Sequence, residues 1–409
     1  MSTSRVIPLA VAGEQAVPVA APRFATLPPL ALYVHFPWCV RKCPYCDFNS
    51  HELRGTGALR EREYVDALIA DLEQALPQVW GRRVASIFIG GGTPSLLSPT
   101  AVDALIAATR ARLSLVPEAE ITLEANPGTV EAAKFAGFRA AGVSRLSLGV
   151  QSFDAKHLHA IGRIHDEREA HGAVELALRH FDNVNLDLMY ALPGQSLTDA
   201  RRDIETAAGY APAHLSAYHL TIEPNTVFHR QLPPLPDPDL AADMQDMIEA
   251  TLAQHGYQHY ETSAFAKPGR RCAHNLNYWQ FGDYLGIGAG AHSKLSFPDR
   301  VVREMRPKHP QSYLEQVAKG GAVRERREVS SDELPCEFMM NALRLVNGVP
   351  TLLFAQRTGL PLAMVQRRLN EAAQRGLLEV TAERIAATER GRRFLNDLLQ
   401  LFLVDTPGG

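Results

Sequence analysis

From Leu30 onward, short runs of β-branched and aromatic residues alternate with longer stretches whose apolar positions recur every three to four residues. The short runs predict strands at Ala31–Phe36, Ser86–Gly90, Glu120–Ala125, Arg145–Val150, Asn183–Met189 and Leu215–Leu220. The longer stretches predict helices over Tyr64–Gln74, Ala101–Leu113, Val130–Ala141, Glu167–His180, Leu197–Tyr210 and Leu240–His255. Repeated βα units of this kind build a parallel sheet. Six units are too few for a closed eight-stranded barrel and suit an open one, with its chemistry at the C-terminal ends of the strands. The expected fold class is α/β: a partial (β/α)6 barrel followed by a smaller C-terminal α/β domain.

Breaks in this pattern suggest the domain limits. Residues 1–26 read as a disordered tail, because Glu14 and three prolines interrupt an Ala- and Val-rich stretch that otherwise resembles a signal peptide. Residues 27–235 form the core barrel, and Leu232–Pro238, with four prolines in seven residues, reads as a connector. Residues 236–328 are an extension that is turn-rich from Glu261 to Ser293. Residues 329–409 read as helices over Glu337–Leu345, Thr351–Thr358 and Pro361–Arg375, with Gly376 as a stop, then a hairpin over Leu377–Ala387. That order suits a winged-helix-like domain, and a generic helical cap equally well.

Composition narrows the function classes. With 409 residues the chain can bury a large core, and 42 basic against 45 acidic residues leave a net charge of -3. No long-range field favours nucleic acid, and residues 319–409 carry 13 Lys or Arg against 11 Asp or Glu, too balanced for a DNA reader. No nucleic-acid partner is therefore expected. No window of eighteen apolar residues predicts a spanning helix, which leaves peripheral membrane association and a homodimer open. Five cysteines, three of them within eight positions, argue for a metal site in a reducing compartment, the cytoplasm by default.

Those three cysteines, Cys39, Cys43 and Cys46, follow the first strand at the spacing Cys-x-x-x-Cys-x-x-Cys. Three thiolates on one short loop can hold three irons of a 4Fe-4S cubane and leave the fourth iron open. An open iron can take the amino and carboxylate groups of S-adenosylmethionine (SAM) and donate an electron to its sulfonium. A zinc site needs a fourth ligand at a short interval, and His51 fits no common zinc spacing.

Four further runs fall at or beside strand ends: Gly90-Gly-Gly-Thr-Pro-Ser, Glu124-Ala-Asn-Pro, Gly149-Val-Gln-Ser-Phe and Asn185-Leu-Asp-Leu-Met-Tyr-Ala-Leu-Pro-Gly. Together with Tyr33 through Cys46, and in this order, they resemble the oxygen-independent coproporphyrinogen III oxidase group of radical-SAM proteins. The resemblance spans Leu30 to Leu403. From the residues themselves, Gly91, Gly92 and Thr93 offer backbone that a ligand can approach closely, and Glu124 offers a carboxylate for ribose hydroxyls. The resemblance implies that Gln151 and Asp187 help hold the nucleoside, that Arg163 pairs with the SAM carboxylate, and that Tyr33 and Tyr45 lie beside SAM and the open iron.

Within that group two features separate an oxidase from a haem carrier. The oxidase motif continues to a fourth cysteine, whereas this chain has Cys46-Asp47-Phe48. The run His274-Asn-Leu-Asn-Tyr-Trp279 resembles the His-Asn-x-x-Tyr-Trp motif of haem chaperones, in which His274 is a candidate haem ligand. Read alone, the same run also suits domain packing. The reading is a haem chaperone that carries haem, as cargo, to haem-dependent acceptor proteins, with SAM chemistry subsidiary or unused. No residue is singled out as catalytic. The alternative is radical-SAM decarboxylation of coproporphyrinogen III.

Overall fold

The computed structural model describes residues 21–53 and 59–403. Six parallel strands form its centre: β1 (Leu30–Phe36), β2 (Arg83–Gly91), β3 (Ser114–Ala125), β4 (Arg145–Gln151), β5 (Val184–Tyr190) and β6 (His214–His219). They are flanked on both sides by later strands, giving twelve in a single mixed sheet. β1 is buried along its length except at half-buried Tyr33, as expected of a strand covered on both faces.

Each predicted strand matches an observed one to within a few residues, except that β3 begins six residues early. The helix Glu167–His180 starts where its pattern does, because Asp166 and Glu169 form a reciprocal capping box, and it stops as Phe181 turns extended. The stretch Val130–Ala141 departs from expectation. It forms two short helices, Thr129–Ala132 and Phe135–Ala140. At the break Lys134 turns its ammonium onto the carbonyls of Ser95, Leu96 and Leu97 at 3.0, 2.9 and 3.2 Å.

A larger correction concerns the turn-rich region Glu261–Ser293. Asp283–Ile287 is a seventh parallel strand on the free side of β1, and a hairpin of His292–Phe297 and Arg300–Met305 continues the sheet. Ala264–Ala266 adds antiparallel to β6 at the other side. The glycines that suggest turns here serve close approach. A Cβ on Gly286 would lie 2.0 Å from the His292 carbonyl oxygen.

Buried charges fasten this extension to the barrel. Arg306, fully buried, bonds Asp71 on the first long helix at 3.2 Å and Glu304 at 3.1 Å. Asp283 takes Arg82 at 2.8 Å and Lys294 at 3.0 Å. The C-terminal part has its own core, built on Phe338, Phe354, Leu369 and Ile385, and it recruits Phe281 and Val301 from the extension. Its helices Glu333–Ala342, Leu352–Thr358 and Gln366–Gln374 precede the hairpin Leu378–Val380 with Arg384–Ala387. Of the expected tail, residues 1–20 lie outside the described residues. Residues 21–26 are docked, with the Arg23 and Phe24 amides donating to the carbonyls of Gly359 and Pro298.

Candidate functional site

The loop after β1 is stapled before its cysteines do anything. Its first residues pair in parallel with its last, Trp38 with His51 and Cys39 with Glu52. Lys42 spans the turn, donating to the carbonyls of Phe48 and Ser50 at 2.9 and 3.3 Å. The glycine run supports the loop from the side: Gly92 N–H donates to Phe36 and Thr93 N–H to Trp38, at 2.7 and 2.8 Å. A Cβ on Gly92 would stand 2.5 Å from the Trp38 oxygen, and Gly91 holds φ +114°, so both positions require glycine.

Cys39, Cys43 and Cys46 are free thiols, half-buried, and line one cavity of about 380 Å³. Burial pushes the thiols of Cys39 and Cys46 up. Among the described residues no group of three His, Cys, Asp or Glu could hold a single metal ion. A cubane asks for something different, one soft thiolate per iron, and three thiols in one cavity fit that demand.

The same cavity collects most of the expected SAM residues: Tyr45, Gly91, Gly92, Thr93, Glu124, Gln151, Arg163 and Asp187. Glu124 accepts from the Gly91 amide at 3.0 Å. Burial and the nearby Asp187 push its carboxyl up to about 7. Asp187 is also raised by burial, although Ser147 and Asn185 each donate to it at 2.9 Å. Gln151 closes β4 at φ +70°, a left-handed conformation rare outside glycine, of the kind that gathers at ligand sites. Arg163 reaches in from beyond β4, donating to the Gly149 carbonyl at 2.6 Å and to Asn126 Oδ1 at 2.8 Å. Its Nε is buried without a hydrogen-bond partner among the described residues.

Asn126 is not among the expected site residues, yet it bridges two of them. Its Oδ1 accepts from Arg163 while its Nδ2 donates to Thr93 Oγ1 at 3.0 Å, which ties three strand-end loops together. Ser147, Tyr218 and Thr221 also line the cavity, and no local motif marks the first two.

Two expected residues stand elsewhere. Tyr33 lies outside the cavity lining, with its hydroxyl 2.8 Å from His35 Nδ1 and its ring beside Phe88 and His274. His274 is on the helix Ala273–Trp279, whose first amides donate to the Glu120 carboxylate. Its Nδ1 is 3.1 Å from Ser86 Oγ and its ring lies between Phe88 and Tyr278. Phe88 separates His274 from the glycine run: its ring centroid is 4.9 Å from that of His274, and its edge would lie 2.7 Å from a Cβ on Gly90. The ring is 4% exposed, and burial lowers its pKa to about 3. Trp279 packs toward the C-terminal core with Arg344 over its ring.

Residues 33–207 match the model of the Radical SAM superfamily, and residues 329–394 match the HemN C-terminal domain. The solved structure of coproporphyrinogen III oxidase (HemN) from Escherichia coli, described as a radical SAM enzyme, superposes with a TM-score of 0.77. It shares 26% identity, with 92% of this chain and 90% of that one covered. The fold is that of a radical-SAM protein. The Heme chaperone HemW of E. coli K12 is 49% identical over 93% of this chain and 99% of its own length. That of Bacillus subtilis is 34% identical over 91% and 98%. The chain belongs to the HemW family.

Proposed function

We propose that this protein binds haem and passes it to haem-dependent acceptor proteins, while Cys39, Cys43 and Cys46 hold a 4Fe-4S cluster and the adjoining cavity holds SAM. The near full-length identity to proteins named as haem chaperones carries this reading. Phe48 supports it: an exposed phenyl ring stands at the cavity where the oxidase motif continues to cysteine. Gly91, Gly92 and Thr93 would present backbone to the SAM amino group, Glu124, Gln151 and Asp187 would hold the nucleoside, and Arg163 would pair with the carboxylate. Tyr45 would cover the open iron, and Tyr33 would support the site from below. The cluster, when bound, supplies an electron to the SAM sulfonium.

Anaerobic titration of haem into cluster-reconstituted protein tests the carrier reading. Stoichiometric binding is expected, and its absence would contradict the reading. The kinship with HemN motivates a second assay, in which coproporphyrinogen III is incubated with SAM and a reductant. No protoporphyrinogen IX should form while the cluster is intact.

A further inference from the structure

A second cavity, about 770 Å³ and so about twice the first, shares Cys43, Cys46 and Ser50 with it. It is walled by the returning end of the cysteine loop, the start of the helix Glu61–Val79, the helix Val227–Arg230 and the start of the helix Pro310–Ala318. Apart from those three, none of its lining residues lines the first cavity. Its volume lies within the range of cofactor-sized pockets, roughly 300–1,000 Å³.

Its walls combine three kinds of surface. Trp38, Leu59 and Leu314 are apolar. Arg60 and Arg230 bring exposed guanidinium groups, and Arg230 has no ion-pair partner among the described residues. His51 and His309 stand together, ring centroids 5.5 Å apart and nearly perpendicular at 77°. His51 Nε2 is 3.3 Å from the Lys308 carbonyl oxygen. A carbonyl can only accept, so Nε2 carries the hydrogen and Nδ1 keeps its lone pair. A ring whose other nitrogen donates to a backbone carbonyl is the usual form of a metal-ligating histidine. His309 makes no ring hydrogen bond among the described residues, so it too is free to ligate.

A haem makes three matching demands: an axial ligand for iron, apolar cover for the macrocycle and cations for two propionates. We infer that this cavity holds the haem, with its iron on an imidazole of the His51–His309 pair and its propionates on Arg60 and Arg230. The inference rests on the carrier reading and moves the iron ligand away from His274, which lines neither cavity. Because His51 is paired directly to Trp38, the cargo would lie against the loop that carries the cysteines.

The test is anaerobic haem titration of the full chain with its cluster loaded, followed by absorption spectroscopy. The parent should bind one haem with an imidazole-ligated spectrum. The His51→Ala/His309→Ala double variant should lose that spectrum and bind at least tenfold more weakly, and free imidazole should restore the spectrum. The exposed pair Arg60→Glu/Arg230→Glu should weaken binding about tenfold without changing the spectrum, which decides the matter should the histidine variant fail to load its cluster. His274→Ala should bind as the parent does. Parental spectrum and affinity in the cluster-loaded double histidine variant would overturn the inference, as would loss of binding on His274→Ala alone. Absence of binding by the parent would instead remove the carrier reading on which the inference depends.

Discussion

Arg163 Nη1 stands 3.7 Å from Cys43 Sγ, which joins the loop after β4 to the cysteine loop after β1. The other terminal nitrogen of the same guanidinium holds Gly149 and Asn126, so a single planar fork fixes the relation of three loops. Arg163→Ala should weaken SAM binding by about 10- to 100-fold, the worth of one or two charge-assisted hydrogen bonds. Arg163→Lys should recover only part of this, since a point charge cannot reproduce the fork. Calorimetry of SAM binding to reconstituted protein checks both.

Gly92 separates cluster loading from folding. A methyl group there would press on the Trp38 backbone, at the root of the cysteine loop, where the Trp38 ring packs against the main core. The Gly92→Ala variant should keep a native circular dichroism spectrum yet assemble far less iron and sulfide per chain. Parental iron content would show that the glycine run does not position the loop.

Glu124 gives the site a pH dependence. Its folded pKa, about 7, lies above its ordinary 4.5, so between those values the folded protein keeps a proton that the unfolded chain releases. The stability tied to this group is therefore full below pH 4.5 and declines as pH rises toward 7. SAM binding should run the opposite way, because the ionised carboxylate is the better acceptor for ribose hydroxyls and the better partner for a cationic ligand. Affinity should rise between about pH 6 and pH 8. Glu124→Gln should flatten that rise.

What the sequence reveals here follows from how local the physics is. β1 to β6 are legible because each carries a short buried apolar run, and the start of Glu167–His180 because its capping box lies within four residues. Asp283–Ile287 is not, because Gly286 and Gly288 look like turn formers until the His292 and His35 carbonyls that crowd them come into view. The same holds within the site. Cys39, Cys43 and Cys46 announce themselves by spacing, whereas Asn126 acquires its role only from Thr93 and Arg163. His274 is visible as part of a motif, but its place is set by Ser86 and Glu120, more than 150 positions away.

The fastening of the extension to the barrel is open to a stability measurement. Asp71 is fully buried and accepts from Arg306, the Gly288 amide and Tyr313. Asp71→Ala would leave Arg306 with Glu304 as its remaining buried acid, a loss of about 3–5 kcal/mol for breaking such a pair. Chemical denaturation of the holoprotein should show a clearly lower midpoint, and Asp71→Asn, which keeps the hydrogen-bonding shape, a smaller drop.

Delivery of haem is the central claim, and transfer is its most direct measurement. Cluster-loaded protein is charged with one haem, freed of excess, and mixed anaerobically with a haem-free acceptor enzyme whose activity returns on reconstitution. The expected result is recovery of acceptor activity together with loss of the haem spectrum from this protein, faster than from an equal amount of haem held by serum albumin. Retention of the haem, or transfer no faster than from albumin, would contradict the account.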